Sequence, residues 1–287
     1  MQPYFIVQQK RFNHDTPAVK DFACMSPTPD SIRQLFDEQV RQSTVESGTG
    51  SRVHVSPQVV RWSANGDVGW SEIAWFQLDD ENADGVIAQQ FDFFSSIRQS
   101  FVWRIFEEDH PADLGTRLEK AGMHFAGTSE LMIVDVGDLP LEYDLPSGVE
   151  LVAANDEEGI ARLVQVHEKV FGTDHSQLRR SLLAQRSNSP DVSELVVGMY
   201  GGRPISSARV EFLPGQEFAS LWGGSSLAEW RRRVLYRAMV SYRARLAIRR
   251  GYTYLYVTAS PLSRPVLEHL GFESFGSVAT YEWRPDD

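Results

Sequence analysis

The chain predicts a mixed α/β fold of two tandem domains, each a mixed, mostly antiparallel sheet flanked by helices. Three observations carry that prediction. Helical and strand periodicities alternate in a readable order through residues 149–287. The closing elements of residues 1–148 repeat that order at an offset of 149 residues. Between them, Gly137, Pro140, Pro146 and Gly148 punctuate an acidic stretch as a linker would. A length of 287 residues, 42% apolar and 11% aromatic, supports two buried cores rather than disorder. We place the domains at 1–145 and 146–287.

In the first half, residues 47–51 read as a flexible Ser/Gly loop. A helix is predicted over 83–98, a strand over 101–106, a helix over 113–121, then Gly122-Met123 and a strand over 131–136. Phe91, Phe93, Phe94, Phe101, Trp103 and Phe106 read as core. In the second half, Asn155 followed by three acids opens a helix, along which Ile160, Leu163, Val164, His167 and Phe171 share a face. A helix over 176–186 follows, then strands over 194–200, 205–212 and 217–222 joined by Gly/Pro turns, an antiparallel meander. A long helix over 233–250 stops at Gly251. The chain closes with a strand over 252–258, a helix over 262–270, Gly271-Phe272 and a strand over 278–283. Placing Gly122 on Gly271 sets Trp103 on Tyr252, Leu118 on Leu267 and Glu119 on Glu268, as an internal duplication would.

The net charge of −11 is unevenly spread. Residues 1–148 carry 11 basic and 23 acidic side chains, residues 149–287 carry 17 and 16. No acid falls between Glu229 and Glu268, while eight arginines lie between Arg231 and Arg250. An acidic whole argues against general nucleic-acid affinity, which rests on phosphate neutralisation; a small polyanion suits the cationic segment better. No run is long and apolar enough to span a bilayer, the first residues lack a secretory pattern, and Cys24 stands alone. The expected location is cytoplasmic, with no membrane partner. The seven histidines show no metal-ligand spacing, and no metal is expected.

Arg231, Arg232 and Arg233 open the long helix. Cations at a helix N-terminus oppose its dipole, so the arrangement makes sense when an anion sits among the amides and guanidiniums. A solvated arginine surface is the plainer alternative.

Here the sequence resembles the GNAT acetyltransferase superfamily over about residues 149–284, and more faintly over 30–136. That family's phosphate loop follows a Q/R-x-x-G-x-G/A pattern. Arg231 matches its first position, while Val234 and Tyr236 stand where its glycines would be. Residues 259–272 resemble the strand–helix–Gly-Phe segment that closes the acyl-coenzyme site, and Gly223-Gly224 resembles the splayed strand end beside the pantetheine arm. The resemblance implies acetyl-CoA as cosubstrate and an amine acceptor. It assigns coenzyme binding to Trp222, Gly223, Gly224, Arg231, Arg232, Arg233, Val234, Leu235, Tyr236, Arg237, Ser260 and Ser263.

Transfer to an amine needs a base, oxyanion donors and protonation of the leaving thiolate. The family's usual acid aligns with Leu267, which cannot donate a proton. Water, Ser260, Ser263 or Tyr236 could substitute. The usual base aligns near Ser220, leaving Glu211, Glu217, Asp174 and His175 as candidates, with Glu211 and His175 foremost. A structural pair with Arg209 is the alternative for Glu211, and a surface loop position the alternative for His175. At the 149 offset the phosphate loop falls on residues 79–85, with Asp84 in place of Arg233. Its acids would repel a polyanion. The first domain is thus expected to be a degenerate copy that does not bind CoA, serving as structural partner or wall of the acceptor pocket. A catalytically silent protein that senses acetyl-CoA or binds a partner is the alternative function. An RNA-contacting arginine helix is a third.

Overall fold

The computed structural model describes residues 27–142, 144–231 and 234–285. The first half runs α1 (Pro29–Phe36), a π-helical turn over Asp37–Arg41, β1 (Arg52–Val55), β2 (Val59–Ser63), β3 (Glu72–Phe76), α2 (Ala83–Ser96), β4 (Phe101–Phe106), α3 (Leu114–Lys120) and β5 (His124–Asp135). The second runs β6 (Val149–Ala153), α4 (Glu157–Phe171), α5 (Ser176–Asn188), β7 (Ser193–Tyr200), β8 (Arg203–Glu211) and β9 (Phe218–Ser226). It closes with α6 (Leu235–Arg249), β10 (Tyr254–Ala259), α7 (Arg264–His269) and β11 (Glu273–Trp283).

Every helix and strand read from periodicity is present. β5 and β11 begin well before their apolar runs, because their first halves are polar or leave one face in solvent; Phe125 is 52% exposed. Helix α4 starts on Asp156, whose carboxylate accepts from the Gly159 amide at 2.7 Å, and ends on Gly172 in the left-handed region. Asn155, the predicted start, instead accepts from the Leu195 amide at 2.9 Å, tying the helix entry to β7.

The eleven strands of the described residues hydrogen-bond into one sheet, ordered β1-β2-β3-β4-β11-β5-β10-β9-β8-β7-β6. The halves are mixed and mostly antiparallel, but their last strands are exchanged. β11 lies between β4 and β5, and β5 lies between β11 and β10. The central pair carries the signature of duplication. Ser129 faces Val278, and these two are 149 residues apart; Glu130 faces Ser277 and Thr128 faces Ala279. A pseudo-twofold axis therefore passes between Ser129 and Val278. Gly127 and Gly276, also 149 apart, both have positive φ (132° and 99°) and adjoin the two register shifts of this pair.

The 149 offset does not extend to the earlier elements. α2 starts at Ala83 and α6 at Leu235, an offset of 152, because the β4–α3 loop is three residues longer than the β10–α7 loop. Asp84 therefore corresponds to Tyr236 rather than to Arg233, and Asp79 to Arg231. The acidic character of the first half's loop is unaffected.

Two further expectations are corrected. The segment 47–51 is no free loop: Ser47, Thr49 and Ser51 are buried, and α5 holds the loop through Gln185 to the Ser47 carbonyl and Asn188 to the Gly48 carbonyl, both at 3.2 Å. The stretch predicted as a linker is likewise anchored. Leu139 is buried, and the Ser241 hydroxyl donates to the Pro140 carbonyl at 2.7 Å.

The α6 face of the sheet buries Val210, Leu221 and Leu255 against Val240, Ala244 and Ala247. Under α2 five of the six predicted core aromatics pack together, with Phe94 stacked on Phe101 at 4.3 Å, while Phe106 packs on the other face against Phe36. On the other face α1 lays Phe36 edge-on to Phe218 and Tyr256. No helix among the described residues is long and apolar enough to cross a membrane.

Candidate functional site

β9 and β10 run parallel but pair only at Phe218–Tyr254, Ala219–Leu255 and Ser220–Tyr256. Beyond that point β9 continues to Ser226 and β10 to Ala259, and a gap opens between them. On its other side β9 pairs with β8 through a register shift, Arg209 facing Trp222 and Ser207 facing Ser225. Gly223 and Gly224 thus oppose the single residue Ala208, a β-bulge beside the gap.

Two neighbours fix the bulge. Gly223 has φ +58°, and a Cβ there would lie 2.9 Å from both Nε2 and Cε1 of His167. The His167 Nε2–H donates to the Gly223 carbonyl at 3.2 Å; a carbonyl can only accept, which sets the tautomer. Burial, with Arg209 nearby, pushes the His167 pKa down to about 4, so the ring is neutral. Gly224 leaves room for Tyr236, whose ring would be 3.1 Å from a Cβ.

Tyr236 stands in the first turn of α6 and hydrogen-bonds Ser263 across the gap. Burial pushes its phenol pKa up, against the pull of Arg243. Arg243 is buried; its Nε donates to the Met239 carbonyl at 3.0 Å and Nη1 to that of Arg209 at 3.2 Å. Val234 caps α6 without a side-chain hydrogen bond, so the first amides of Leu235, Tyr236 and Arg237 carry no side-chain cap among the described residues. Arg231 is exposed, its Nε on the Ser226 carbonyl at 3.3 Å. Arg232 and Arg233 lie outside the described residues, as does Cys24. The Leu235 side chain is buried beside Ile205 and Leu227 and serves packing.

On the opposite face of the sheet, where the gap begins, the two halves enclose a cavity of about 130 Å³. The second half supplies Glu211, Ser220, Trp222 and Tyr256; the first supplies Trp62, Trp70, Glu72 and Arg104, among others. Glu211 is buried, and its Oε1 meets Arg209 Nε at 3.3 Å. Trp222 Nε1 donates to Ser220 Oγ at 2.7 Å, and Tyr256 bonds the same serine. Burial raises the Tyr256 pKa, aided by Glu211, so the phenol stays protonated. Glu72 binds both Arg104 and Trp70 Nε1, the latter at 3.1 Å.

Of the predicted catalytic residues, Glu211 lies in the cavity, directly opposite Ser220 in the β8–β9 register. His175 lies outside it. Its Nε2 meets Thr173 Oγ1 at 3.2 Å and its ring sits 5.4 Å from that of His167. Ser260 is exposed and bonds Ser263 at 3.1 Å in the turn that enters α7, also outside the cavity. Asp174 is spent on Ser176 at the start of α5, and Glu217 meets Gln39 and Thr253. Leu267, where the family's acid would align, is fully buried in the core.

Sequence reasoning missed His167 and Tyr256; it named the first half as structural partner or wall of the acceptor pocket, but not the residues Trp62, Trp70, Glu72 and Arg104 that line the cavity. His167 shares the helical face of Ile160 and Val164, so spacing alone marks it as core. Tyr256 could have been found, since Tyr254, Tyr256 and Thr258 alternate on one strand face.

The first half keeps the geometry but not the chemistry. β3 and β4 are also parallel and pair only at Glu72–Val102 and Ile73–Trp103. Their gap is filled by Phe76 against Trp103, ring centroids 5.5 Å apart. At the start of α2, Arg117 is held by Asp80 at 3.0 Å, Asp84 at 3.3 Å and Asp113 at 2.8 Å.

No protein-family model and no curated protein sequence matches the chain. Solved structures share its fold. A GCN5-related N-acetyltransferase from Kribbella flavida is similar at TM-score 0.61 and 18% identity, over 88% of this chain and 93% of that one. A functionally unknown conserved protein from Staphylococcus epidermidis reaches 0.63 at 11% identity, over 87% and 97%. A tandem GNAT protein from the clavulanic acid biosynthesis pathway reaches 0.54 at 12% identity, over 79% and 78%. The fold is that of the GNAT superfamily in its tandem form.

Proposed function

We propose that this chain transfers an acetyl group from acetyl-CoA to an amine, using one coenzyme site in residues 146–287. The observation that carries the proposal is the gap between β9 and β10, where Trp222, next to the Gly223–Gly224 bulge, lines a cavity holding the buried carboxylate Glu211. The residues present suit acetyl-CoA. The amides of Leu235, Tyr236 and Arg237 and the guanidiniums of Arg231, Arg232 and Arg233 would hold the phosphates. The Trp222–Gly224 backbone, free of side-chain bulk at two positions, would line the pantetheine arm. In the first half the corresponding helix start already holds Arg117 among three carboxylates, which repels a polyanion.

The cosubstrate supplies a thioester whose acyl carbon forms the new C–N bond as the C–S bond breaks. Glu211 takes the proton that the amine must lose. Backbone N–H groups at the bulge donate to the oxyanion, held in place by the His167–Gly223 bond. Tyr236, kept protonated by burial, donates to the departing sulfur.

A second reading, a protein that binds acetyl-CoA or a partner without turnover, is favoured by one observation: Tyr236 bridges Gly224 and Ser263 across the gap. Calorimetry with acetyl-CoA, together with thiol release in the presence of amines, separates the two. We expect one site per chain and turnover that Glu211→Gln lowers by about 10²- to 10⁴-fold, the usual weight of a general base. Binding without thiol release for any amine would favour the second reading in its acetyl-CoA form; no binding would refute the acetyltransferase and leave partner binding.

A further inference from the structure

The acceptor's size and charge can be read from the cavity, an inference that rests on the acetyltransferase reading above. We propose that the cavity between the halves is the acceptor site, and that it takes a small free primary amine carrying one ring-sized apolar body rather than a lysine of a folded protein.

Volume sets the first limit. A cavity of about 130 Å³ approaches the ~150 Å³ void that accepts a benzene molecule, so one ring or a short branched alkyl group fits and a second does not. Enclosure sets the next. Phe36, Trp62, Ile73, Glu211 and Ser220 line the space and expose 2%, 8%, 0%, 6% and 6% of their surface. A side chain fixed to a folded surface cannot reach past walls so buried, whereas a free molecule can be enclosed by them.

The lining chooses the body. Trp62 and Trp70 face Trp222 and Tyr256 across the halves, an aromatic enclosure suited to an apolar body and to a cation beside ring faces.

Charge chooses the head group. Each guanidinium near the cavity is already matched: Arg104 by Glu72, and Arg41 by both Asp109 at 2.8 Å and Asp37 at 3.0 Å. Among the described residues Glu211 forms one ion pair, with Arg209 at 3.3 Å, while that guanidinium lies 5.4 Å over Trp222. In these pairs three guanidiniums stand against four carboxylates, and the Glu211 pair is the longest of the four. An ammonium group is favoured there over a carboxylate, and on arrival it meets the group that removes its proton.

The test uses 2-phenylethylamine as probe and 3-phenylpropanoate as its anionic counterpart of similar shape, each titrated into the full chain by calorimetry. Acetyl-CoA is titrated in parallel. We expect one amine site per chain, at least tenfold tighter than the anion. Two variants locate the site. Glu211→Gln should weaken the amine at least tenfold. Ala74→Phe, which fills the cavity from the first half, should abolish amine binding while leaving the acetyl-CoA isotherm unchanged, a result that also reports on folding.

Equal binding of amine and anion, no binding of either, or amine binding untouched by Ala74→Phe would overturn the proposal. So would acetylation of a lysine peptide with a KM that Ala74→Phe does not move. Amine binding that meets every expectation, in a chain that neither binds nor consumes acetyl-CoA, would uphold the site and refute the acetyltransferase reading alone.

Discussion

Replacing Gly223 by alanine should damage the protein far more than the same change at a glycine of equal backbone geometry. Gly223 has φ +58° and Gly201 has φ +54°. A left-handed alanine costs about 1–2 kcal/mol at either position. The surroundings differ. Nothing lies within 4 Å of a Cβ at Gly201, whereas at Gly223 it would press on His167 Nε2 and Cε1 at 2.9 Å. To relieve that contact the ring must move and give up its 3.2 Å bond to the Gly223 carbonyl, leaving a buried donor unpaired at about 1–3 kcal/mol. Gly201→Ala should therefore lose about 1–2 kcal/mol and Gly223→Ala about 2–5 kcal/mol. Urea unfolding followed by tryptophan fluorescence measures both. Adding His167→Ala to Gly223→Ala should recover the steric part, so the two changes should be non-additive. Equal losses at the two glycines, or strict additivity with His167→Ala, would show that the imidazole does not hold the bulge.

Acid should weaken the fold through the same histidine. With its native pKa near 4 and an unfolded value of 6.5, His167 binds fewer protons folded than unfolded between those limits. Its contribution is intact above pH 6.5 and lost as pH falls toward 4, about 3 kcal/mol in all. His167→Asn should flatten stability over that range, and an unchanged slope in urea titrations would contradict the assignment. Deleting residues 273–287 removes β11 from between β4 and β5, so both halves should fail together. A truncated chain that still unfolds cooperatively would contradict the exchange. Charge reversal at Arg231 and Arg233 should weaken acetyl-CoA about tenfold or more by calorimetry, while Asp84→Arg should leave it unchanged; equal effects would overturn the one-site assignment.

Much of the second half was legible because each element carries its own signal. The β8 turn is written in Gly and Pro, the α4 face repeats at helical spacing, and α6 stops at Gly251. The first three strands were not, since β1 and β2 are short and β1 leaves Val55 61% exposed at the sheet edge. Residues 47–51 misled for a different reason. Serine and glycine suit a flexible loop and a buried, hydrogen-bonded one equally, and only α5 decides between them. The exchange of β5 and β11 was invisible for a related cause: alternation specifies which face of a strand is buried, but not which strand lies beside it. At the site, Glu211 was legible as a carboxylate on a strand face beside Arg209. Its cavity was not, because Glu72 and Arg104 become neighbours only when β3 and β4 pair.

The exchange also bears on why a half without a coenzyme site is present at all. β4 and β10 flank the exchanged pair; Trp103 of β4 packs in the core under α2 and Leu255 of β10 in the core under α6, so Arg104 and Tyr256, one residue further on, lie on the opposite, equivalent faces. Both reach the same cavity, where burial raises the Tyr256 phenol and lowers the Arg104 guanidinium, and each group partly offsets the other's shift. The cavity thus lies between equivalent faces of two copies, near the axis that passes between Ser129 and Val278. A copy freed from holding a phosphate can carry acids at its helix start, where the dipole favours them, and still supply a wall. What selection must keep in that half is the cavity face and the exchanged strand. Substitutions at Asp80 or Asp84 should therefore cost little activity, and those at Trp62 or Arg104 should raise KM for the amine while leaving acetyl-CoA binding in place. A steady-state comparison of the two sets would refute this division if both changed the amine KM alike.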